Sequence, residues 1–157
     1  MIRSRIILLV EDNADDLELT LRAFKKSQIV HEIAVARDGR EALDYLFSEG
    51  AFAGADTSRA PEVVLLDLNL PKLDGLDVLR RMRADERTRR LPVVVLTSSR
   101  EEQDVVRSYD CGANSFVRKP VDFSRFLDAA YLLGGYWLGV NVQAVPPALD
   151  MKPSAAS

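Results

Sequence analysis

Cysteine is nearly absent from this chain: Cys111 is the only one among 157 residues. An internal disulfide and a thiolate zinc cluster are therefore excluded, which suits a reducing cytosol, and Cys111 itself reads as a small core filler. Histidine is equally scarce. His31 stands alone at the start of an apolar stretch, away from the acids described below, so a structural role is expected for it rather than a catalytic or phosphohistidine one. Long hydrophobic runs are missing too. The apolar stretch behind the basic N-terminal residues, Ile6 to Val10, stops at Glu11, too short for a signal peptide or a membrane span. Nor does one sign of charge dominate: 21 lysines and arginines face 24 acids, and a net charge of −3 leaves no electrostatic footprint for nucleic acid or an anionic membrane. The length suits one domain with a real core, and no repeat or low-complexity block divides it.

What the chain does have is alternation. Apolar stretches at 5–10, 31–36, 63–66, 92–97 and 114–119 are separated by amphipathic ones at 14–27, 39–50, 76–85 and 100–113, and a last helix begins near Asp122. This is the pattern of a βα repeat around a parallel sheet. In the first helix Leu17, Leu21 and Phe24 fall at helical spacing behind Asn13, a natural N-cap, and Gly50 is placed to end the second. Two stretches depart from the pattern. "GAFAGADTSRAP" (50–61) is a long polar connection, and residues 141–157, with three prolines, read as an extended or disordered tail behind a domain spanning 4–140.

In "VVLLDLNLPKLDG" (63–75) four apolar residues run straight into Asp67 before the chain turns. A continuous Val/Leu run reads as a strand buried on both faces, so Asp67 marks a strand end. Ligands of open parallel sheets sit outside the carboxyl ends of the strands. Glu11 and Asp12 end strand one there, Thr97 and Ser98 end strand four, and Lys119, followed by Pro120, ends strand five. Three carboxylates brought together repel unless a cation shares the site. Oxygen donors with room for water suit Mg²⁺, a carboxylate can act as a phosphoryl nucleophile, and Lys119 and Thr97 can meet an anion.

The ordered set "LLVEDN" (8–13), "LLDLNLPKLDG" (65–75), "VVVLTSS" (93–99) and "GANSFVRKP" (112–120) closely resembles the response-regulator receiver family over about residues 4 to 138. The resemblance implies a flavodoxin-like, doubly wound (βα)5 fold with a five-stranded parallel sheet in a single domain. It implies a stand-alone regulator of two-component signalling that takes a phosphoryl group from a histidine kinase or phosphotransfer protein. Such a protein is a phosphoacceptor, not an enzyme acting on a separate substrate, although it promotes its own phosphotransfer and dephosphorylation. Carried over by residue, Asp67 is the phosphoacceptor. Glu11, Asp12, Asp67 and the backbone carbonyl of Asn69 hold Mg²⁺, Thr97 and Lys119 grip the phosphate, and Phe116 occupies the aromatic switch position. Ser98 is assigned to water access, and the bond before Pro120 is expected to be cis. Glu11 replaces the aspartate of many members, which bears on metal affinity.

The 50–61 connection and the apolar last helix resemble the subgroup paired with phytochrome-type histidine kinases. Three rivals are weaker. A phosphatase of the haloacid-dehalogenase type needs an acid where Asn69 stands, and an amide cannot transfer that proton. A flavin or nucleotide site needs a phosphate-cradling first loop, where "EDNADD" presents four acids. A receiver-like interaction module with vestigial chemistry would not need the full set of polar groups. Asp15 and Asp16 read as first-turn acids answering the helix dipole, and Arg118 as a residue pointing away from the site by strand alternation. Finally, Phe123, Phe126, Leu127, Ala130, Tyr131, Leu133, Tyr136, Trp137 and Leu138 cover more than one helical stripe, which points to a homodimer through the last helix. The competing account has Val142, Val145 and Leu149 folding back to cover it.

Overall fold

The computed structural model describes residues 5–28, 32–50 and 60–144; His31, most of the 50–61 connection and the tail from 145 lie outside the described residues. Among the described residues five strands and five α-helices alternate: β1 (Ile6–Val10), α1 (Ala14–Ser27), β2 (Glu32–Ala36), α2 (Gly39–Phe47), β3 (Val63–Leu66), α3 (Gly75–Ala84), β4 (Val93–Thr97), α4 (Glu102–Asp110), β5 (Ser115–Arg118) and α5 (Phe123–Gly134). All strand pairs are parallel, in the order β2-β1-β3-β4-β5. This is the doubly wound flavodoxin-like sheet expected, with order reversing between β1 and β3.

Strand composition explains the layers. β1, β3 and β4 are buried at every residue, because helices cover both faces. Alternate side chains serve opposite cores. Ile7, Leu9, Leu65 and Leu96 meet Phe24 of α1 and Phe126 and Ala130 of α5, whereas Leu8, Val10, Leu66 and Val95 meet Leu43 of α2 and Leu79 and Met82 of α3. α4 is different: its one fully buried residue is Ser108, and Val106 and Tyr109 stand in solvent.

Local chemistry sets the boundaries. Asn13 Oδ1 accepts from the Asp16 N–H at 2.9 Å and caps α1 as expected. α2 ends earlier than expected, at Phe47, because Ser48 (φ 56°) makes the left-handed turn two residues before Gly50. Gly75 opens α3 behind Asp74, whose Oδ1 accepts from the Asp77 N–H at 3.0 Å. A Cβ on Gly75 would stand 2.3 Å from the Asp67 carbonyl oxygen, so only glycine lets α3 start this close to the end of β3.

Two corrections follow. The peptide bonds of the described residues are all trans, Lys119–Pro120 included, so the cis bond expected there is not present; trans is the lower-energy isomer for X–Pro as for other bonds. The last helix is not one uniform helix. α5 gives way at Gly134 to a π-helical segment, Gly135–Val140, closed by the Asn141 N–H donating to the Tyr136 carbonyl at 2.7 Å. The wider turn brings Leu138 back to the core after Ala130, and the Arg5 guanidinium donates to the Leu138 carbonyl.

Candidate functional site

The ladder of the sheet continues one residue past the strands and fixes where the polar side chains start. The Glu11 N–H donates to the Ala36 carbonyl at 3.0 Å, the Asp67 N–H to Val10 at 3.1 Å, and the Lys119 N–H to Thr97 at 2.8 Å. Three side chains from three strand ends thereby converge. Lys119 Nζ donates to Glu11 Oε1 at 2.5 Å, to Asp16 Oδ2 at 2.9 Å and to Asp67 Oδ2 at 3.2 Å. Glu11, Lys119 and Asp67 are only 2%, 5% and 7% exposed.

Buried charges are tolerated only when paired, and here one ammonium compensates two buried carboxylates and a half-buried third. The balance is uneven. Burial pushes Glu11 from 4.5 up to about 7, against the pull of its hydrogen bond to Lys119, and the neighbouring Asp67 charge pushes the same way. Burial acts to lower Lys119, but Glu11, Asp67 and Asp16 together outweigh it and hold the ammonium above the ordinary lysine value. Lys119 therefore stays charged at neutral pH, while Glu11 is poised to gain or lose a proton there.

The remaining predicted residues surround this trio without joining it. Asp12 is exposed, its carbonyl accepting from Arg37 at 3.4 Å. Asn69 is exposed, and its N–H donates to Asp67 Oδ1 at 3.3 Å. Ser98 is exposed and lines a groove with Asp16, Lys119 and Pro120. Thr97 is fully buried, and its hydroxyl accepts from the Ser99 N–H at 3.3 Å. Phe116 packs half-buried against the core, with the Arg118 guanidinium 5.8 Å from its ring centre. Arg118 bonds other groups than the carboxylates that hold Lys119: Nε donates to the Ser99 carbonyl at 3.3 Å and the fork faces Glu102 at 3.7 Å.

Asp16 is the residue that sequence reasoning missed. As a first-turn acid it is explained by the helix dipole alone, yet it also supplies the third oxygen on Lys119. The available signal was geometric: helical side chains lean toward the N-terminus, so an acid in this turn leans back over the strand ends.

Whether this edge suits a divalent cation can be judged from its donors. Among the described residues no three His, Cys, Asp or Glu side chains are gathered in metal-holding geometry. Glu11 and Asp67 nonetheless meet one displaceable ammonium, and Asp12 and Asn69 stand beside them in solvent. A set of hard oxygen donors with room for water is the chemistry that Mg²⁺ and Mn²⁺ accept.

Comparison with known proteins agrees with this fold. The model of the response regulator receiver domain matches residues 7–131. The response regulator Rcp1 of Synechocystis sp. is 37% identical over 134 residues, covering 85% of this chain and 89% of that protein. A structure of the Mn²⁺-bound form of response regulator Rcp1 superposes with a TM-score of 0.80 at 35% identity, over 90% of this chain and 99% of the other. The phosphorylated cyanobacterial phytochrome response regulator RcpA gives 0.83 at 38% identity, over 91% and 100%. The bacteriophytochrome response regulator AtBRR gives 0.74 at 51% identity, over 92% and 99%.

Proposed function

The chain belongs to the response regulator receiver family, and on that premise we propose that it is a single-domain regulator that accepts a phosphoryl group on Asp67 and signals by protein contact. The observation that carries this reading is the buried contact of Asp67 with Lys119 at the carboxyl edge of the sheet. The domain is 4–140, with 141–157 as its tail. The donor is a histidine kinase, of the phytochrome-associated type suggested by the resemblance to RcpA and AtBRR, or a phosphotransfer protein.

In the reaction an Asp67 carboxylate oxygen attacks phosphorus in line. The P–O bond forms as the P–N bond of phosphohistidine breaks, its electron pair leaving on the imidazole nitrogen. Glu11, Asp12, Asp67 and the Asn69 carbonyl would hold Mg²⁺, which would supply positive charge to the phosphoryl oxygens. Lys119 changes partner, from carboxylate to phosphoryl oxygen, and the Thr97 hydroxyl donates to another of those oxygens. Ser98, at the mouth of the groove, sets the room left for an attacking water. Phe116 follows the loop after β4, so the new charge biases two arrangements of the α4, β5 and α5 surface.

The same reading includes a homodimer through the last helix. Tyr131, Leu132, Tyr136 and Val140 are 58%, 71%, 48% and 68% exposed, and Val142, at 90%, does not cover them. Sedimentation of wild type and Leu132→Glu at micromolar concentration tests it. A dimer that dissociates in the variant supports the interface, and a monomeric wild type removes it. Phosphotransfer profiling against the histidine kinases of the source organism tests the main proposal: one dominant donor that fails on Asp67→Asn is expected, and equal transfer to that variant refutes the assignment.

A further inference from the structure

We propose that Ser99 is the positioning residue through which Thr97 controls the placement of α4, a proposal that rests on the phosphoacceptor reading and specifies how that site is regulated. Ser99 belongs to none of the groups assigned above, yet all three of its polar groups are committed to different parts of the molecule. Its N–H donates to the Thr97 hydroxyl at 3.3 Å. Its own hydroxyl donates to Asp104 Oδ2 of α4 at 2.5 Å and accepts from the Glu101 N–H at 3.3 Å. Its carbonyl accepts from Arg118 Nε at 3.3 Å, on the guanidinium that lies over Phe116.

The weakness of α4 gives this node its leverage. The other four helices each bury several residues or begin at an N-cap whose side chain bonds the first turn. α4 has neither support: Ser108 is its one buried residue, and Glu101 at its N-cap makes no side-chain cap bond. The hydroxyl of Ser99 takes up that task from two residues further back, bonding both the N–H of the N-cap residue, Glu101, and the carboxylate of Asp104 in the first turn. A helix with so little apolar burial resists displacement weakly, so the bonds at its N-terminus hold a large share of its position.

Thr97 cannot turn its hydroxyl toward a phosphoryl oxygen without disturbing the Ser99 N–H. Ser99 in turn cannot shift without altering its bonds to Asp104 and to Arg118. The charge placed on Asp67 thus reaches α4 by one route and the Phe116 strand by another, and both diverge at one serine. This is a physical two-state element biased at one end by the site, with packing on its other side too thin to oppose it.

Hydrogen exchange on the full chain tests the proposal, with wild type, Ser99→Ala and Ser99→Thr compared with and without beryllofluoride and Mg²⁺ as phosphoryl mimic. Peptides over 67–74 report binding of the mimic, and peptides over 101–110 report α4. In wild type both regions respond. In Ser99→Ala the 67–74 response persists, while α4 exchanges about five- to thirtyfold faster without the mimic, the equivalent of the two hydrogen bonds that the hydroxyl makes to Asp104 and Glu101, and gains no further change with it. Ser99→Thr, which keeps the hydroxyl, restores the response of α4. A Ser99→Ala chain whose α4 responds as wild type does, or a Ser99→Thr chain that fails like alanine, overturns the proposal. Absence of any 67–74 response in wild type refutes the phosphoacceptor reading itself and the relay with it. That result differs from a wild type that responds at 67–74 but not at 101–110, which refutes the relay alone.

Discussion

Two cations are drawn into oxygen at opposite ends of the sheet, and they are held in opposite ways. At the carboxyl edge Lys119 sits among three carboxylates, Glu11, Asp16 and Asp67. At the amino edge the half-buried guanidinium of Arg83 is held by neutral oxygens. Nε donates to the Gly112 carbonyl at 3.0 Å, Nη1 to Arg89 at 3.0 Å and Leu91 at 2.8 Å, and Nη2 to Asn114 Oδ1 at 2.9 Å. That amide oxygen also accepts from the Val93 N–H at 2.8 Å, so Arg83 ties the starts of β4 and β5 to the end of α3. Gly112, at φ 106°, leaves room for it, since a Cβ there would stand 2.8 Å from Arg83 Cγ.

The difference separates a fastener from a switch. A rigid planar fork on fixed carbonyls has one good arrangement, and a change in charge elsewhere does not alter it. An ammonium among carboxylates is a point charge whose partners can gain a proton, a metal ion or a phosphoryl group, and each change redistributes its bonds. The amino edge is built to stay and the carboxyl edge to change.

The largest expected effect comes from removing the mobile cation. Lys119→Met leaves Glu11 and Asp67 buried without compensation, and metal-free stability at pH 8 falls by about 4 kcal/mol in denaturant melts. Mg²⁺ recovers a substantial part of it. The fastener should behave otherwise: Arg83→Ala loses about 3 kcal/mol by stranding several carbonyls, and neither pH nor Mg²⁺ restores it. Equal recovery of both variants by Mg²⁺ would erase the distinction.

Acidity sharpens the comparison further. Glu11 holds its proton more tightly in the folded chain, at about 7, than at its ordinary 4.5. Its contribution to stability is therefore complete below pH 4.5 and is lost as pH rises through 7, a change of about 3 kcal/mol. On the proposed reading a divalent cation held by Glu11 would take the place of that proton, so the gain in Tm from Mg²⁺ should be larger at pH 8 than at pH 5. A gain independent of pH would detach Glu11 from the metal. Asp16→Asn should have the smallest effect, about 0.5 kcal/mol, because its carboxylate is half exposed and two partners remain on Lys119.

Much of this architecture was legible from residue order. Strands covered on both faces must be continuously apolar, so β1, β3 and β4 announced themselves, and the polar groups behind them marked the carboxyl edge. What escaped had a sufficient local explanation. Asp16 satisfies a helix dipole, and Arg83, in the last turn of α3, satisfies one at the other end, so nothing in the pattern demanded a distant partner for either. Ser99 reads as a loop serine, because its three bonds reach three elements whose meeting is a tertiary fact. The π-helical segment at Gly135–Val140 has no periodic signature of its own, and it shows only where Leu138 must regain the core.

The most direct test of the account is peptide mapping by mass spectrometry after incubation with acetyl phosphate and Mg²⁺. The account predicts one acyl phosphate, on the peptide carrying Asp67, absent without the metal and absent in Asp67→Asn. A label of equal yield in Asp67→Asn, or one placed on Glu11, Asp12 or Asp16, would contradict it.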